Sequence, residues 1–119
     1  MIASLSGRAS FNLLRRDGLT ARSKEFSLVM RPDSSLMVLQ VAFSIPRAVG
    51  PAVVRNQLRR RLRELFRARV CDERLTSGQV LVICRPSAAH LSFRELSDML
   101  DQLIESCGPR RSRLERAIQ

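Results

Sequence analysis

Ala52-Val53-Val54-Arg55-Asn56-Gln57-Leu58-Arg59-Arg60-Arg61-Leu62-Arg63-Glu64-Leu65-Phe66-Arg67 is the stretch on which the reading of this chain turns. At about 100° per residue it makes a helix with two unlike edges. Val54, Leu58, Leu62, Leu65 and Phe66 fall within one apolar arc, roughly a third of a turn wide. Arg55, Arg59, Arg63 and Arg67 recur at every fourth residue along the opposite margin, with Asn56 and Arg60 beside them. One edge is made to lie on a core and the other to hold several anions in a row. Glu64 is the one acid in the run, so these guanidinium groups are not neutralised inside their own helix. Planar forked donors match phosphate oxygens, and a polyanion is the partner such a face requires. A merely solvated basic face is the bland alternative, and six arginines between Arg55 and Arg67 argue against it.

The segments around this helix read as strands and two more helices. Pro51 suits the first position of the basic helix, which is predicted to run to about Val70. Before it, Met37 to Ile45 is an apolar run rich in β-formers. Phe26 to Met30 reads as a strand closed by the turn sequence Arg31-Pro32-Asp33. These two strands are predicted to pair antiparallel, and Leu19 to Arg22 reads as a further short strand. Ser6 to Arg16 forms a first helix, with Phe11 and Leu14 inward and Asp17-Gly18 as its stop. After the basic helix, Gln79 to Cys84 is a short, strongly apolar strand ended by Pro86. Ser92 and Glu95 have capping-box spacing. They open a helix with Leu96, Met99, Leu100, Leu103 and Cys107 inward, ending at Gly108-Pro109. Asp98, Asp101 and Glu105 fall on its solvated side. The order is helix, two or three strands, basic helix, strand, helix: an α+β domain with helices packed on one sheet. Residues 1–119 read as a single RNA-binding domain, with about 1–5 and 109–119, including the basic run Arg110-Arg111-Ser112-Arg113, as flexible ends.

Composition narrows the function. The 119 residues carry a net charge of +10, a field that draws nucleic acid or an anionic surface. The charge is unevenly placed: eight arginines face Glu64 alone between Arg47 and Arg69. Between Ser92 and Cys107, Arg94 stands against Glu95, Asp98, Asp101 and Glu105. Cys71, Cys84 and Cys107 have no C-x-x-C spacing, which points to reduced thiols rather than a disulfide framework or, with His90, a zinc site. No apolar stretch suits a signal peptide or a membrane span, so a cytoplasmic protein is expected. His90, the sole histidine, has no obvious nucleophile beside it, and no glycine-rich phosphate loop occurs. No catalytic residue and no protein-held metal is therefore expected. Three rivals share some of these traits: a ribosomal or ribosome-assembly protein, a free-standing nuclease, and a peripheral membrane protein with a basic amphipathic helix. The missing catalytic cluster argues against the second. The apolar arc, needed for the core and free of tryptophan, argues against the third.

The run Val49-Gly50-Pro51-Ala52-Val53-Val54-Arg55-Asn56, followed by Arg59-Arg60 and Arg63-Glu64, resembles the signature of the bacterial ribonuclease P protein subunit. Ser10-Phe11 and Gly18 resemble that family's opening helix and turn. Val82-Ile83-Cys84-Arg85-Pro86, Ala88 and Leu91-Ser92-Phe93 resemble its last strand and the start of its last helix. The resemblance covers nearly the whole chain. It implies a small α+β sandwich with a left-handed βαβ crossover, where right-handed crossovers are the rule. It also implies a subunit of an endoribonuclease holoenzyme that removes the 5′ leader of precursor tRNA. A catalytic RNA, holding Mg²⁺, supplies the chemistry; that RNA and the single-stranded leader are the partners, and no obligate protein partner or membrane is implied. Carried onto this sequence, Arg55, Asn56, Arg59, Arg60 and Arg63 form the arginine-rich motif, with Arg47, Arg61 and Arg67 adding charge. Phe11, Phe26, Ser44, Lys24 and Val29 line a leader cleft between sheet and first helix. Three departures touch that site. Arg47-Ala48 stands where the family has two lysines, Arg15 where an apolar or aromatic residue is usual, and Val29 where some members have tyrosine.

Overall fold

The five residues Val80-Leu81-Val82-Ile83-Cys84 set the architecture, because an apolar run this continuous has to be covered on both faces. In the computed structural model they belong to β5 (Gly78–Cys84), the central strand of a five-stranded sheet. The structure describes residues 2–5, 7–72, 75 and 77–118, with side chains up to residue 107. Its elements run β1 (Ile2–Ser4), α1 (Arg8–Asp17), β2 (Leu19–Arg22), β3 (Phe26–Pro32), β4 (Leu39–Ser44), α2 (Ala52–Cys71), β5 and α3 (Phe93–Ile118). Short 3₁₀ turns at Arg47–Val49 and Pro86–His90 flank the two long connections.

The strand order is β1-β4-β5-β3-β2. β4 runs parallel to β5, and α2 connects them as a βαβ unit, the unit for which the family resemblance implies a left-handed hand. β3 lies antiparallel on the other side of β5, with β2 outside it. The expected direct pairing of the Phe26 and Met37–Ile45 strands is therefore corrected. β5 sits between them, since its apolar residues need a neighbour on either side. β1, unforeseen in the sequence, adds a parallel edge to β4 where a flexible end was expected.

Two apolar layers result from the period-2 alternation of the strands. Phe26, Leu28, Met30, Leu39, Val41, Val80, Val82 and Cys84 face one side, where Leu58, Leu62, Leu65 and Phe66 of α2 and Leu96, Leu100 and Leu103 of α3 cover them. On the other side Leu5, Leu14 and Leu81 are buried together, with Phe11, Val29 and Ala42 packed against them. This small layer is the seat of α1. Gly18 ends α1 because no side chain fits: a Cβ there would meet the Leu14 carbonyl oxygen at 2.4 Å and Val29 Cγ1 at 2.7 Å.

Helix boundaries follow local chemistry with two adjustments. Pro51 is the N-cap rather than the first helical residue of α2. The capping box forms as read: Glu95 N–H donates to Ser92 Oγ at 3.1 Å, and Ser92 N–H to Glu95 Oε1 at 3.0 Å. The Ser92 N–H, and next the Ser92 hydroxyl, hold the exposed Glu95 carboxyl below its ordinary range. α3 carries on through Gly108-Pro109 to Ile118 instead of stopping there, although Pro109 has no N–H to return to the helix. Ser6, the expected first residue of α1, and the outermost residues of the expected flexible ends lie outside the described residues.

Asp101 is the clearest correction on α3. Arg69, only 3% exposed at the bottom of α2, donates from Nε and Nη2 to Asp101 Oδ1 at 3.0 and 2.7 Å. Nη2 also donates to the Ser97 carbonyl and hydroxyl, and Nη1 to the Leu65 carbonyl at 2.9 Å. Asp101 is thus a structural partner that ties α3 to α2, not part of a solvated acidic face. Asp101→Ala should lower unfolding free energy by about 3 kcal/mol, because it strands a buried guanidinium. Combined with Arg69→Met, the loss should be smaller than the sum of the two single losses. Additive losses in denaturant unfolding would show that the two groups do not stabilise each other.

Candidate nucleic-acid interface

α2 presents its arginines as the helical spacing dictates. Leu58, Leu62, Leu65 and Phe66 are buried, with Val54 half-buried against Gly50. Arg55, Arg59, Arg61 and Arg63 flank that arc half-buried, while Asn56, Arg60 and Arg67 are exposed, as is Arg47 before the helix. Arg55 Nε donates to the Gly50 carbonyl at 3.1 Å, and Arg59 Nη1 to Asn56 Oδ1 at 3.3 Å. Neither acceptor is a carboxylate. The ion pairs among the described residues are Arg16–Asp17, Arg31–Asp33 and Arg69–Asp101, so the six arginines from Arg55 to Arg67 have no carboxylate partner among them.

The sheet face turned away from α2 and α3 has three cross-strand rows, fixed by register. The first is Gln40–Gln79–Arg31, a polar ladder in which Arg31 Nε donates to Gln79 Oε1 at 3.0 Å and Gln79 Nε2 to Gln40 Oε1 at 3.2 Å. The second is Ala42–Leu81–Val29, against which Phe11 and Leu14 of α1 pack. The third is Ser44–Ile83–Ser27–Arg22, and it carries no such apolar cover. Ser44 and Arg22 are exposed, and Ile83 is 36% exposed although it lies on the central strand. This row spans four strands, about 14 Å at ordinary strand spacing. It lies at the carboxyl ends of β4 and β5, the end from which α2 departs. The first turns of α2 are therefore at that end of the molecule too, and Arg59 lies close enough to Cys84 to oppose the upward push of burial on its thiol.

The residues expected to line a cleft divide between the two faces. Val29 and Ser44 lie on the α1 face, and half-buried Phe11 packs there. Lys24 is exposed in the β2–β3 turn, just beyond the Arg22 end of the open row. Phe26 does not join them. It is 1% exposed and points into the α2–α3 core, because it alternates in phase with Leu28 and Met30. Ile83, Ser27 and Arg22 lie on the open row and Arg85 reaches it, and none of these was singled out from the sequence as a site residue. The signal for Ile83 was available in its odd phase relative to Val80, Val82 and Cys84. Arg85 donates from Nη1 to the Ser23 carbonyl and from Nη2 to Ser27 Oγ, both at 2.8 Å. No three His, Cys, Asp or Glu side chains gather as a metal cluster among the described residues. No helix among them is long and apolar enough to cross a membrane.

Fold and surface together define a small α+β protein whose arginine-faced crossover helix begins at the same end of the sheet as an open row on the opposite face. The Ribonuclease P family profile matches residues 2–108, and the chain belongs to that family. The Ribonuclease P protein component of Thermobifida fusca is 44% identical over 68 residues, covering 56% of this chain and 45% of that protein. That of Staphylococcus carnosus is 26% identical over 97 residues, covering 82% and 83%. That of Thermus scotoductus is 33% identical over 107 residues, covering 90% and 61%. The alignments thus span from about half to most of these relatives. The fold is that of the RNase P protein from Staphylococcus aureus, with a TM-score of 0.76 at 19% identity over 88% of this chain and 94% of that one. The Thermotoga maritima RNase P protein gives 0.69 at 22% identity, over 86% and 96%.

Thiol chemistry offers a direct check on the packing at this end of the sheet. Burial pushes the Cys84 thiol up to about 12, against the opposing pull of Arg59, whereas Cys71 is exposed. Alkylation of the folded protein near pH 8 should label Cys71 and spare Cys84, as read by peptide mass mapping. Since the folded protein holds the Cys84 proton more tightly than the unfolded chain, whose thiol titrates near 9.0, this group's stabilising effect is complete below that pH. It should be lost as pH rises from there toward 12. Rapid Cys84 labelling in the native state would contradict this placement.

Proposed function

We propose that this chain is the protein subunit of a ribonuclease P holoenzyme, an endoribonuclease that releases the 5′ leader of precursor tRNA. The observation that carries the reading is the α2 surface, with its arginines from Arg55 to Arg67 unpaired by carboxylates, in a chain of this family. In this reading Arg55, Asn56, Arg59, Arg60 and Arg63 hold the phosphates of the catalytic RNA, and Arg47, Arg61 and Arg67 extend the field. The single-stranded leader lies along the open row Ser44–Ile83–Ser27–Arg22, with Phe11 and Val29 toward α1 and Lys24 at the far end. The RNA supplies the catalysis and holds the Mg²⁺, and the complex works in the cytoplasm. The protein contributes position: it lengthens the surface that recognises a precursor and lowers the repulsion between two polyanions.

Reconstitution tests this directly. The purified chain should restore precursor cleavage by a ribonuclease P RNA at low Mg²⁺, and it should cleave nothing without that RNA. Arg59→Ala, Arg60→Ala and Arg63→Ala together should cost several kcal/mol of RNA affinity, at roughly 1–3 for each charged hydrogen bond. The log–log salt slope should flatten by about one for each phosphate that is no longer neutralised. A folded triple mutant that binds as tightly as the parent would sink the assignment.

The leader makes a separate demand. A base stacked on an aromatic ring is worth about 1–3 kcal/mol, so Phe11→Ala should weaken precursor binding roughly ten- to a hundredfold and hardly alter binding of mature tRNA. Part of that ring already packs on the small layer of Leu14 and Leu81, so thermal melting has to accompany the titrations. Equal weakening of both ligands in a folded variant would remove Phe11 from the groove.

A further inference from the structure

Arg85 stands where β5 ends, and nothing in its sequence neighbourhood explains where its guanidinium goes. The group reaches back over the sheet to the β2–β3 hairpin. Nη1 donates to the Ser23 carbonyl and Nη2 to Ser27 Oγ, both at 2.8 Å, across 62 and 58 residues of chain. The backbone joins in: Arg85 N–H donates to the Glu25 carbonyl at 2.9 Å. Two residues on, Ser87 Oγ donates to the Lys24 carbonyl at 3.3 Å. Inside the turn, Ser23 N–H donates to the Phe26 carbonyl at 2.8 Å and Phe26 N–H to Ser23 Oγ at 3.1 Å. Three consecutive carbonyls, those of Ser23, Lys24 and Glu25, are thus gripped from the segment that follows β5. The side chain at the tip is Lys24, the only lysine of the chain, and it is exposed.

We propose that Arg85 is a positioning residue, whose two-armed grip on Ser23 and Ser27 fixes the β2–β3 turn and so sets the Lys24 ammonium at the end of the open row. The inference rests on the reading of that row as a strand-binding groove and names how its far end is built. Geometry favours this role over direct contact with RNA. Both terminal guanidinium nitrogens are committed to protein oxygens, and Ser27, which receives one of them, is buried on the row itself. Lys24 has a flexible stem and would otherwise sweep a wide volume. A fixed turn confines its base to one edge, where Arg22 adds a second charge.

Substitutions that separate charge from fork geometry test the idea. Arg85→Lys keeps the charge but cannot bridge Ser23 and Ser27, so it should behave like Arg85→Ala. Each should weaken binding of a leader-bearing precursor to the holoenzyme by about fivefold, the worth of one well-placed exposed charge. Lys24→Ala should do the same, and Arg85→Ala added to Lys24→Ala should bring no further loss. Hydrogen exchange of the isolated protein should quicken at residues 22–27 in both Arg85 variants and stay as in the parent across α2. An Arg85→Lys variant with parental affinity would overturn the proposal in favour of a simple charge contact. Additive losses for Arg85→Ala and Lys24→Ala would overturn it in favour of two independent contacts. Unchanged exchange at 22–27 would remove the grip, and an inert Lys24→Ala would remove the group being positioned. The function itself stands or falls separately, on whether the parent chain restores cleavage by the RNA.

Discussion

A strand that is apolar on both faces has one stable place, the middle of a sheet with cover on either side, and β5 imposes that condition on everything else here. β4 lies beside it in parallel, so the chain has to return to the same end of the sheet by a crossover, here a helix. That helix is α2. Its apolar arc fills one of the two layers β5 requires, and its remaining circumference is left to solvent with its arginines. The basic face is therefore a by-product of the same demand that fixes the strand order. The second layer is much smaller, because α1 has few apolar residues to give. It covers the middle row, Ala42–Leu81–Val29, and leaves the last one open.

Charge is distributed to suit this division. The arginines of α2 find no carboxylate within the described structure except for Arg69, which lies on the inner edge. Eleven residues beyond Leu58, at about 100° each, Arg69 falls only some 20° from the direction of Leu58, in the middle of the buried arc. A charge there has to be paired, and α3 supplies Asp101 and the Ser97 carbonyl and hydroxyl. A buried ion pair is a poor source of net stability, but removing one partner strands a charge in the core. The pair ties α3 to α2, while Asp98 and Glu105 of α3 stay exposed.

Much of this is legible in the sequence, and the failures have physical causes. Periodicity locates α1, α2, β2, β3, β4, β5 and the start of α3, because burial on one face writes a period of 2 or 3.6 directly into the residues. Pairing is misread because neighbouring strands in sequence usually pair, and only the apolar character of both faces of β5, with Val80, Leu81, Val82 and Cys84 buried, points to its place between β3 and β4. β1 is invisible: three residues are too few for a period, and it is held by the edge of β4. Resemblance alone assigns Phe26 to a cleft, while its phase with Leu28 and Met30 places it in the core. Charge alone misleads at Arg69 and Asp101, although helical phase puts Arg69 inward.

The open row shows why family likeness and geometry have to be combined. A signature locates the arginines because their spacing is local to one helix. A groove is assembled from β2, β3, β4, β5, α1 and two turns, so no single stretch of sequence displays it. Its accessible floor here is Ile83 with Ser44, Ser27 being buried beneath its bond from Arg85, and its one aromatic, Phe11, belongs in part to the core beneath α1. Such a floor offers shape and a dry contact rather than a stack for every base, which leaves affinity to the charges around it. Those charges are held in unequal ways. Arg47 is exposed at one end, while at the other Lys24 is carried on a turn that Arg85 and Ser87 grip by its carbonyls. On the proposed reading, a row of this build would distinguish an unpaired strand from a duplex by width and by where its cations stand, with little need to read the bases themselves.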